Sequence, residues 1–487
     1  MKYIYIITFY CIFNNTFSQG ITFTTEMKSD FSERVFQIIE DDDGNYVYTG
    51  LKTYSINASE YNGEIKKLNA QGVIIDSLQI SATNPQESLT LLDIIQVGSE
   101  YICIGSSPDE LSFIKLDKNL NIITRKELTL AAYKEKNSVA TAFLMCDSDS
   151  NLIVSGGIDS IGTPARRSYL YKINLNGDSI YAIYPHPPFS SFTEVIEQTT
   201  DTSYIAFGLI PFGFSLIHIM QHYDVDFNLL NTDTLNNFFG YGTSPIQLED
   251  TIFVAGRSSV INTALLTSFQ TLIIKKITTS NDSLNQKIIE GGVLDKETVP
   301  AQFDALDMYN NNIFTTGTIR YEAGNVLPFS EKNLAIVVSK TDLDLNILWK
   351  EKIYSDSVRY DAYGIIATQD GGCLVYGTIY DWRTQNNQFN TFAIKLDGLG
   401  NTSWIKEEPY QQIPITIFPN PAKDFINYKT SSKVSVQKIE IINLEGQTIK
   451  DFLSPQTLLN VQDLSQGVYL MRFFTDKGLV VKKMIKE

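Results

Sequence analysis

The chain reads as a succession of short apolar strands cut by polar turns. One unit runs strand, polar turn, strand ending in glycine, variable loop, strand ending in a Lys-Leu-Asp-like triplet, turn, strand. It first appears as Val35–Glu40, the turn Asp41–Asn45, Tyr46–Gly50, a loop, Glu64–Asn69 and Val73–Ile80. The last copy is Ala362–Thr368, Gln369–Gly372, Cys373–Gly377, Phe392–Asp397, Gly398–Asn401 and Thr402–Lys406. The glycines are Gly50, Gly105, Gly156, Gly208, Gly256, Gly317 and Gly377, spaced 48 to 61 residues apart. The triplets begin at Lys67, Lys115, Lys172, His222, Lys276, Lys340 and Lys395. Four strands per repeat and no 3.6-residue period predict an all-β body, a seven-bladed β-propeller. Stacked β-sandwiches would need nearly twice as many strands per repeat.

One strand is surplus, because Ile21–Met27 precedes the first full unit and Trp404–Lys406 follows the last. We expect the former to pair with Phe392–Leu396, since a strand from the opposite end closes the ring and removes its edges. Tight turns fall on one face of such a body. Long connections such as Leu51–Gly63, Pro185–Phe192, Arg257–Gln270, Thr318–Asn333 and Thr378–Asn390 fall on the other, where binding residues concentrate.

From Ile413 the rhythm changes. Pro409 and Pro414 bracket a linker, and about seven short strands follow in the remaining residues, which predicts a small Ig-like β-sandwich. At the other end, Met1-Lys2, the apolar run Tyr3–Phe13 and the small residues around Ser18 predict a secretory signal. The expected organisation is thus a signal peptide at 1–18, the propeller at 19–408, a linker at 409–414 and the sandwich at 415–487. Beyond the signal no apolar run reaches the length of a transmembrane helix.

Charge then narrows the partners. The net charge is −16, yet Pro409–Glu487 holds ten Lys/Arg against seven Asp/Glu, so the residues before it carry −19. An acidic body repels phosphate backbones, which argues against nucleic acid as a partner. Cys11 falls in the signal, and Cys103, Cys146 and Cys373 show no metal-ligand spacing, so they read as inert thiols.

Candidate chemistry is sparse. His218 and His222 sit in a strand-rich stretch without the glutamate of a zinc protease, so no metal site is expected there. Asp41–Asp43, Asp224–Asn228 and Asp342–Asn346 are similar to calcium loops, but they lie where the repeats turn and lack the sixth-position glycine, leaving calcium a secondary reading. Glu33, Asp304 and Asp361 precede the first strands of their blades, near the channel mouth, where paired carboxylates do glycosidase-type work. No arginine cluster or nucleophile elbow accompanies them. Tyr54, Arg166, Arg167, Phe189, Tyr321, Trp382 and Arg383 on the long loops are the candidate binding residues.

Two resemblances complete the reading. Gln369–Gly372 and Asp397–Asn401, with Trp404 beyond, resemble the repeats of large secreted bacterial propellers, which implies fold alone. The tail resembles the type A C-terminal sorting domain of the type IX secretion system of Bacteroidetes. The match rests on Phe418-Pro419-Asn420-Pro421, Ile439–Ile449, Leu464–Tyr469 with Gly467 and Tyr469, and the basic end with Lys482 and Lys483. The resemblance implies passage through the periplasm, recognition by the outer-membrane translocon, cleavage by its sorting peptidase, and release or attachment to surface lipopolysaccharide. For the body we expect a secreted or surface binding protein for a glycan, polymer or protein. The alternatives are a carbohydrate-active enzyme, hydrolase or lyase-like, and a structural surface protein.

Overall fold

The computed structural model describes residues 20–27, 32–53, 61–83, 87–107, 110–129, 137–160, 166–184, 191–197, 203–212, 215–235, 238, 244–262, 267–291, 297–320, 334–355, 358–381, 389–402, 415–430, 435–443, 447–453, 456–475 and 478–487. Trp404–Lys406 therefore lies outside the described residues. Among the described residues the secondary structure is all β, and no helix is long and apolar enough to cross a membrane. The chain forms two compact units, Met1–Lys406 and Glu407–Glu487.

Among its described residues the larger unit contains seven antiparallel sheets built on one plan. The first is Glu33–Glu40, Tyr46–Thr53, Tyr61–Leu68 and Ile74–Ile80, each strand paired with the next. The first strands of the other sheets are Thr90–Val97, Asn137–Cys146, Ser191–Glu197, Ser244–Leu248, Glu297–Pro300 continued by Leu306–Tyr309, and Arg359–Ala367. Each first strand packs against the preceding sheet, and Glu33–Glu40 packs against the seventh. The seventh sheet takes its fourth strand from the N-terminal side: Phe23–Met27 lies antiparallel on Phe389–Leu396, with Phe23 opposite Lys395.

The turn that follows the third strand is the same in all seven repeats. It starts at Asn69, Asp117, Asn174, Asp224, Thr278, Asp342 and Asp397, whose backbone N–H donates to the carbonyl four residues on. The fourth residue of each is left-handed: Gly72, Leu120, Gly177, Phe227, Asn281, Leu345 and Gly400. This is a type I turn closed by a left-handed residue. Where that residue is Leu120, Phe227 or Leu345 its side chain is buried, so packing offsets the backbone strain. Asp224 and Asp342 each accept the N–H groups two and four residues on through Oδ1, and the Asn228 or Asn346 amide through Oδ2.

The recurring glycines have a different cause. In the first, second and seventh sheets the first strand bulges one residue after the glycine's partner. Gly50 faces Val35, Phe36 is skipped, and Thr49 faces Gln37; Leu92 and Tyr363 are skipped in the same way. The bulge brings a carbonyl over the glycine. A Cβ on Gly50 would lie 2.0 Å from the Arg34 oxygen, and one on Gly377 2.0 Å from that of Asp361.

Two lysines of the triplets, Lys67 and Lys172, join neighbouring sheets through matching triangles. Lys67 Nζ lies 3.0 Å from Asp41 Oδ2 and donates to Tyr101 Oη at 2.8 Å, while the Tyr101 hydroxyl donates to Asp41 at 2.6 Å. Lys172, Asp147 and Tyr204 repeat the triangle between the third and fourth sheets, every leg 3.0 Å. Burial pushes the Asp41 and Asp147 carboxyls up, but the N–H, hydroxyl and ammonium donors outweigh it and hold both below the usual range.

The smaller unit packs a three-stranded sheet, Thr416–Phe418, Phe425–Lys429 and Leu458–Asn460, with a four-stranded one. The latter is ordered Thr448–Leu453, Val436–Ile442, Gly467–Thr475 and Gly478–Lys486. Ile426, Tyr428 and Leu459 from one sheet and Ile439, Ile441, Met471, Phe473 and Met484 from the other fill a common core.

Candidate functional site

The seven first strands converge on one cavity of about 320 Å3. Gln37, Asp93, Leu144, Val195, Pro245, Asp307 and Ile365 each represent a different sheet in its wall. Most of the lining is Ile, Leu, Val and Met, so the carboxylates within it sit in apolar surroundings. Asp93 accepts Ile94 N–H at 2.7 Å and Leu144 N–H at 2.6 Å from the adjoining sheet. Asp307 accepts Met308 N–H at 2.7 Å and Ala367 N–H, again from the adjoining sheet, at 2.7 Å. Tyr376 donates to Gln37 Oε1 and lies 3.1 Å from Asp304 Oδ2. Burial, reinforced by the Asp304 charge, pushes the Asp93 carboxyl up to about 8. Burial above all, and then Asp304, pushes Asp307 up to about 7.

These two acids give the body a pH signature. The folded state retains protons that the unfolded chain releases from about pH 4 upward, so stability falls as pH rises from about 4 to 8. Asp41 and Asp147 act oppositely, and their contribution is lost only as pH falls below about 4. At about 1.4 kcal/mol per pH unit and per group, the slope in thermal unfolding should be several kcal/mol between pH 5 and 8.5. Asp93→Asn should flatten it. A midpoint that rises with pH across this window would contradict the placement of both carboxyls.

The bulges shape the mouth of this cavity. Phe36 packs edge-on against Phe303 with centroids 5.3 Å apart, and Phe303 against Tyr363 at 5.5 Å. Phe36, Leu92, Phe143 and Phe303 surround a constriction above Asp93 and Asp304. Phe303 belongs to the segment that interrupts the sixth first strand. Its N–H donates to the Tyr363 carbonyl at 2.9 Å, its carbonyl accepts the Ser244 hydroxyl at 3.0 Å, and Ile365 N–H donates to the Asp304 carbonyl at 2.9 Å. Three sheets thus fix one aromatic cluster.

Beside Tyr363 opens a cleft of about 390 Å3 lined by Arg257, Gln302, Thr318, Arg359 and Asp361 among others. Arg257 lies within the strand Thr251–Asn262, opposite Leu272, so the long connection expected over Arg257–Gln270 is largely paired strand instead. Arg359 and Asp361 open the seventh first strand, which puts the cleft on the face where second strands end and first strands begin. Arg359 is nearly buried, and its Nη2 lies 2.8 Å from Asp361 Oδ2. Arg34 stands over the Phe389 ring at 5.5 Å, and its charge is felt at Tyr363.

The three carboxylates singled out from the sequence separate. Asp304 lies at the constriction and Asp361 in the cleft. Glu33 is buried to the side, 2.6 Å from Lys66 Nζ and 3.3 Å from Lys52 Nζ, in a network with Glu64. Tyr54, Phe189, Tyr321, Trp382 and Arg383 lie outside the described residues, and Arg166 and Arg167 are placed only as backbone in Arg166–Asn174. The sequence reading missed Phe36, Phe303, Tyr363, Arg257 and Arg359. A signal was present, since Phe36-Gln37-Ile38-Ile39, Leu92-Asp93-Ile94-Ile95 and Tyr363-Gly364-Ile365-Ile366 align as one motif.

The smaller unit joins its own two motifs. Asn420 of Phe418-Pro419-Asn420-Pro421 donates from Nδ2 to the Lys483 carbonyl at 2.8 Å and accepts Ile485 N–H at 2.8 Å. Ala422 N–H donates to the Ile485 carbonyl at 2.8 Å, and Glu487 N–H to the Ala422 carbonyl at 2.9 Å. The Pro-Asn-Pro segment therefore covers the edge of the terminal strand carrying Lys482 and Lys483. Tyr469 caps the start of its own strand through Ser465 O at 3.0 Å.

Among solved structures, the β-propeller domain of the trilobed protease from Pyrococcus furiosus is similar at 10% identity, covering 78% of this chain and 100% of that one with a TM-score of 0.41. The polysaccharide lyase Uly1 is similar at 8% identity over 74% of this chain and 90% of its own, TM-score 0.43. A protein of unknown function from Dyadobacter fermentans is similar at 10% identity over 63% and 95%, TM-score 0.41. No curated protein matches the chain. The match that identifies a part of it is to the family described as the secretion system C-terminal sorting domain, over residues 416–487. With its Pro-Asn-Pro segment and terminal basic strand joined in one fold, that unit is a type IX secretion sorting domain, and it marks the protein for export to the cell surface or the medium.

Proposed function

We propose that the larger unit is a closed seven-bladed β-propeller serving outside the cell as a binding module, with its ligand held at the mouth on the long-loop face. The observation that carries this reading is the aromatic cluster Phe36–Phe303–Tyr363, whose Phe303 segment is held by the Ser244 hydroxyl of the fifth sheet and by backbone hydrogen bonds to the seventh, beside an arginine-lined cleft. Half-buried rings beside a polar cleft suit a sugar ring or a peptide side chain. Closure is supported by the circular succession of sheet contacts and by Phe23–Met27 in the seventh sheet. The smaller unit, seven strands in two sheets around one core, is read as an Ig-like sandwich. The N-terminal residues are read as a Sec signal, and display on lipopolysaccharide or release as the fate after export.

Binding is favoured over catalysis because Asp361 is the only carboxylate lining the cleft among the described residues, and it is paired with Arg359. The test is a glycan and surface-protein array probed with the full chain and with Phe303→Ala. Ligands bound by the former and lost at least tenfold by the latter support the reading. Binding unaffected by Phe303→Ala, or turnover of a bound glycan, would overturn it.

A further inference from the structure

We infer that the sorting domain is read through the outer face of its smaller sheet, where Phe418, Phe425 and Leu458 meet an apolar surface on an outer-membrane protein of the export machinery. The inference concerns the smaller unit and is independent of the ligand proposed for the larger one.

Strand pairing puts these residues on one face. Thr416 lies opposite Lys429, Phe418 opposite Asn427, Asn427 opposite Leu458, and Phe425 opposite Asn460. Residues opposite one another share a face, and alternate residues along a strand return to it. Ile426, Tyr428 and Leu459 take the other face, in the core of the unit. Phe418, Phe425 and Leu458 are therefore turned outward, and they are 48%, 46% and 52% exposed. Phe425 is diagonal to both Phe418 and Leu458, at about 7–8 Å in such a ladder, so the three form one patch around Asn427. Large apolar side chains grouped in this way mark a contact surface.

The larger sheet is finished differently. On its outer face Glu440 lies opposite Arg472 and accepts from its guanidinium, while Lys438 is 2.7 Å from Glu440 and stands over the Phe474 ring at 5.8 Å. The occupant of the apolar face follows from what the unit is and from continuity with its motifs. A sorting domain is read by the machinery that exports it. Phe418 opens the Phe418-Pro419-Asn420-Pro421 segment, whose Asn420 is tied to Lys483 and Ile485, so the face and the two motifs are one construction. Lys429 ends the same face, and Pro409–Glu487 holds ten Lys/Arg against seven Asp/Glu, so the partner's apolar surface is bordered by acidic groups.

The experiment follows export of the full chain in cells that carry the secretion system. Phe425→Gln combined with Leu458→Gln should lower the surface and secreted fractions by about tenfold or more. Leu453→Gln, at a side chain 75% exposed on the larger sheet, should leave them unchanged. Undiminished export of the double variant, or an equal loss in Leu453→Gln, would overturn the face. Lys429→Glu should lower export severalfold, and no loss there would overturn the acidic border. Because the double variant could fail by unfolding, contact is also read directly, with a photo-crosslinking phenylalanine analogue in place of Asn427 that keeps all three apolar side chains. In exporting cells it should join the chain to an outer-membrane protein, and Phe425→Gln should abolish that product. A product with a second copy of the chain or with lipid, or no product at all, would overturn the proposal.

Discussion

Deleting residues 416–487 should leave the protein inside the cell envelope, with the surface and secreted fractions falling at least a hundredfold and the larger unit accumulating as a protease-resistant fragment in the periplasm. The expectation follows from the sorting domain matched over those residues and from the compactness of Met1–Lys406 as a unit with its own cores. A milder variant tests which feature carries recognition. Asn420→Ala removes two hydrogen bonds that hold the Pro-Asn-Pro segment on the terminal strand, at about 1–3 kcal/mol. Export should drop while the stability of the larger unit is unchanged. Fractionation with an antibody against the body, together with a periplasmic marker, reads both variants. A tail-less chain that still reaches the surface would remove the sorting domain from the export route.

Asp41→Ala should be the most damaging single substitution in the body, lowering its stability by about 3–5 kcal/mol, because it strands a buried ammonium. Lys67 is only 6% exposed, and without Asp41 its partners among the described residues are the neutral Tyr101 hydroxyl and the Lys118 carbonyl. The same change also releases the N–H groups of Asp43 and Asn45 that organise the first turn. Asp117→Ala is the matched control. It removes an equivalent turn acceptor at a site where Asn119 and Asn121 donate but no lysine is joined, and should cost about 1 kcal/mol. Urea midpoints of the two variants make the comparison. If they shift equally, the Asp41–Lys67–Tyr101 triangle contributes nothing beyond its turn.

Much of this was legible in the sequence, and the division follows physical range. The all-β body and the glycine positions could be read because strands and turns are written in neighbouring residues, and the pairing of the N-terminal strand with Phe392–Leu396 because a surplus strand must remove an open edge. The lysine triplets were visible as a pattern, yet their partners Asp41 and Tyr101 lie in different repeats, so their purpose was hidden. The mouth was missed for a similar reason. A bulge is a mismatch between two strands, so the motif shared by Phe36–Ile39, Leu92–Ile95 and Tyr363–Ile366 marks equivalent positions without announcing that its first residue is skipped in the pairing. Arg257 and Arg359 are 102 positions apart in the chain, which is why no arginine cluster could be read there.

The pairing of Phe23 with Lys395 also sets a timetable. The earliest strand of the body waits for the latest, so local sheets can form as the chain emerges but the seventh cannot be completed until Leu396 has arrived. The sorting domain comes later still in chain order. A chain stalled or clipped before Leu396 lacks both the partner for its first strand and the signal for export. Truncated copies of that kind therefore lack the export signal by the order of synthesis alone.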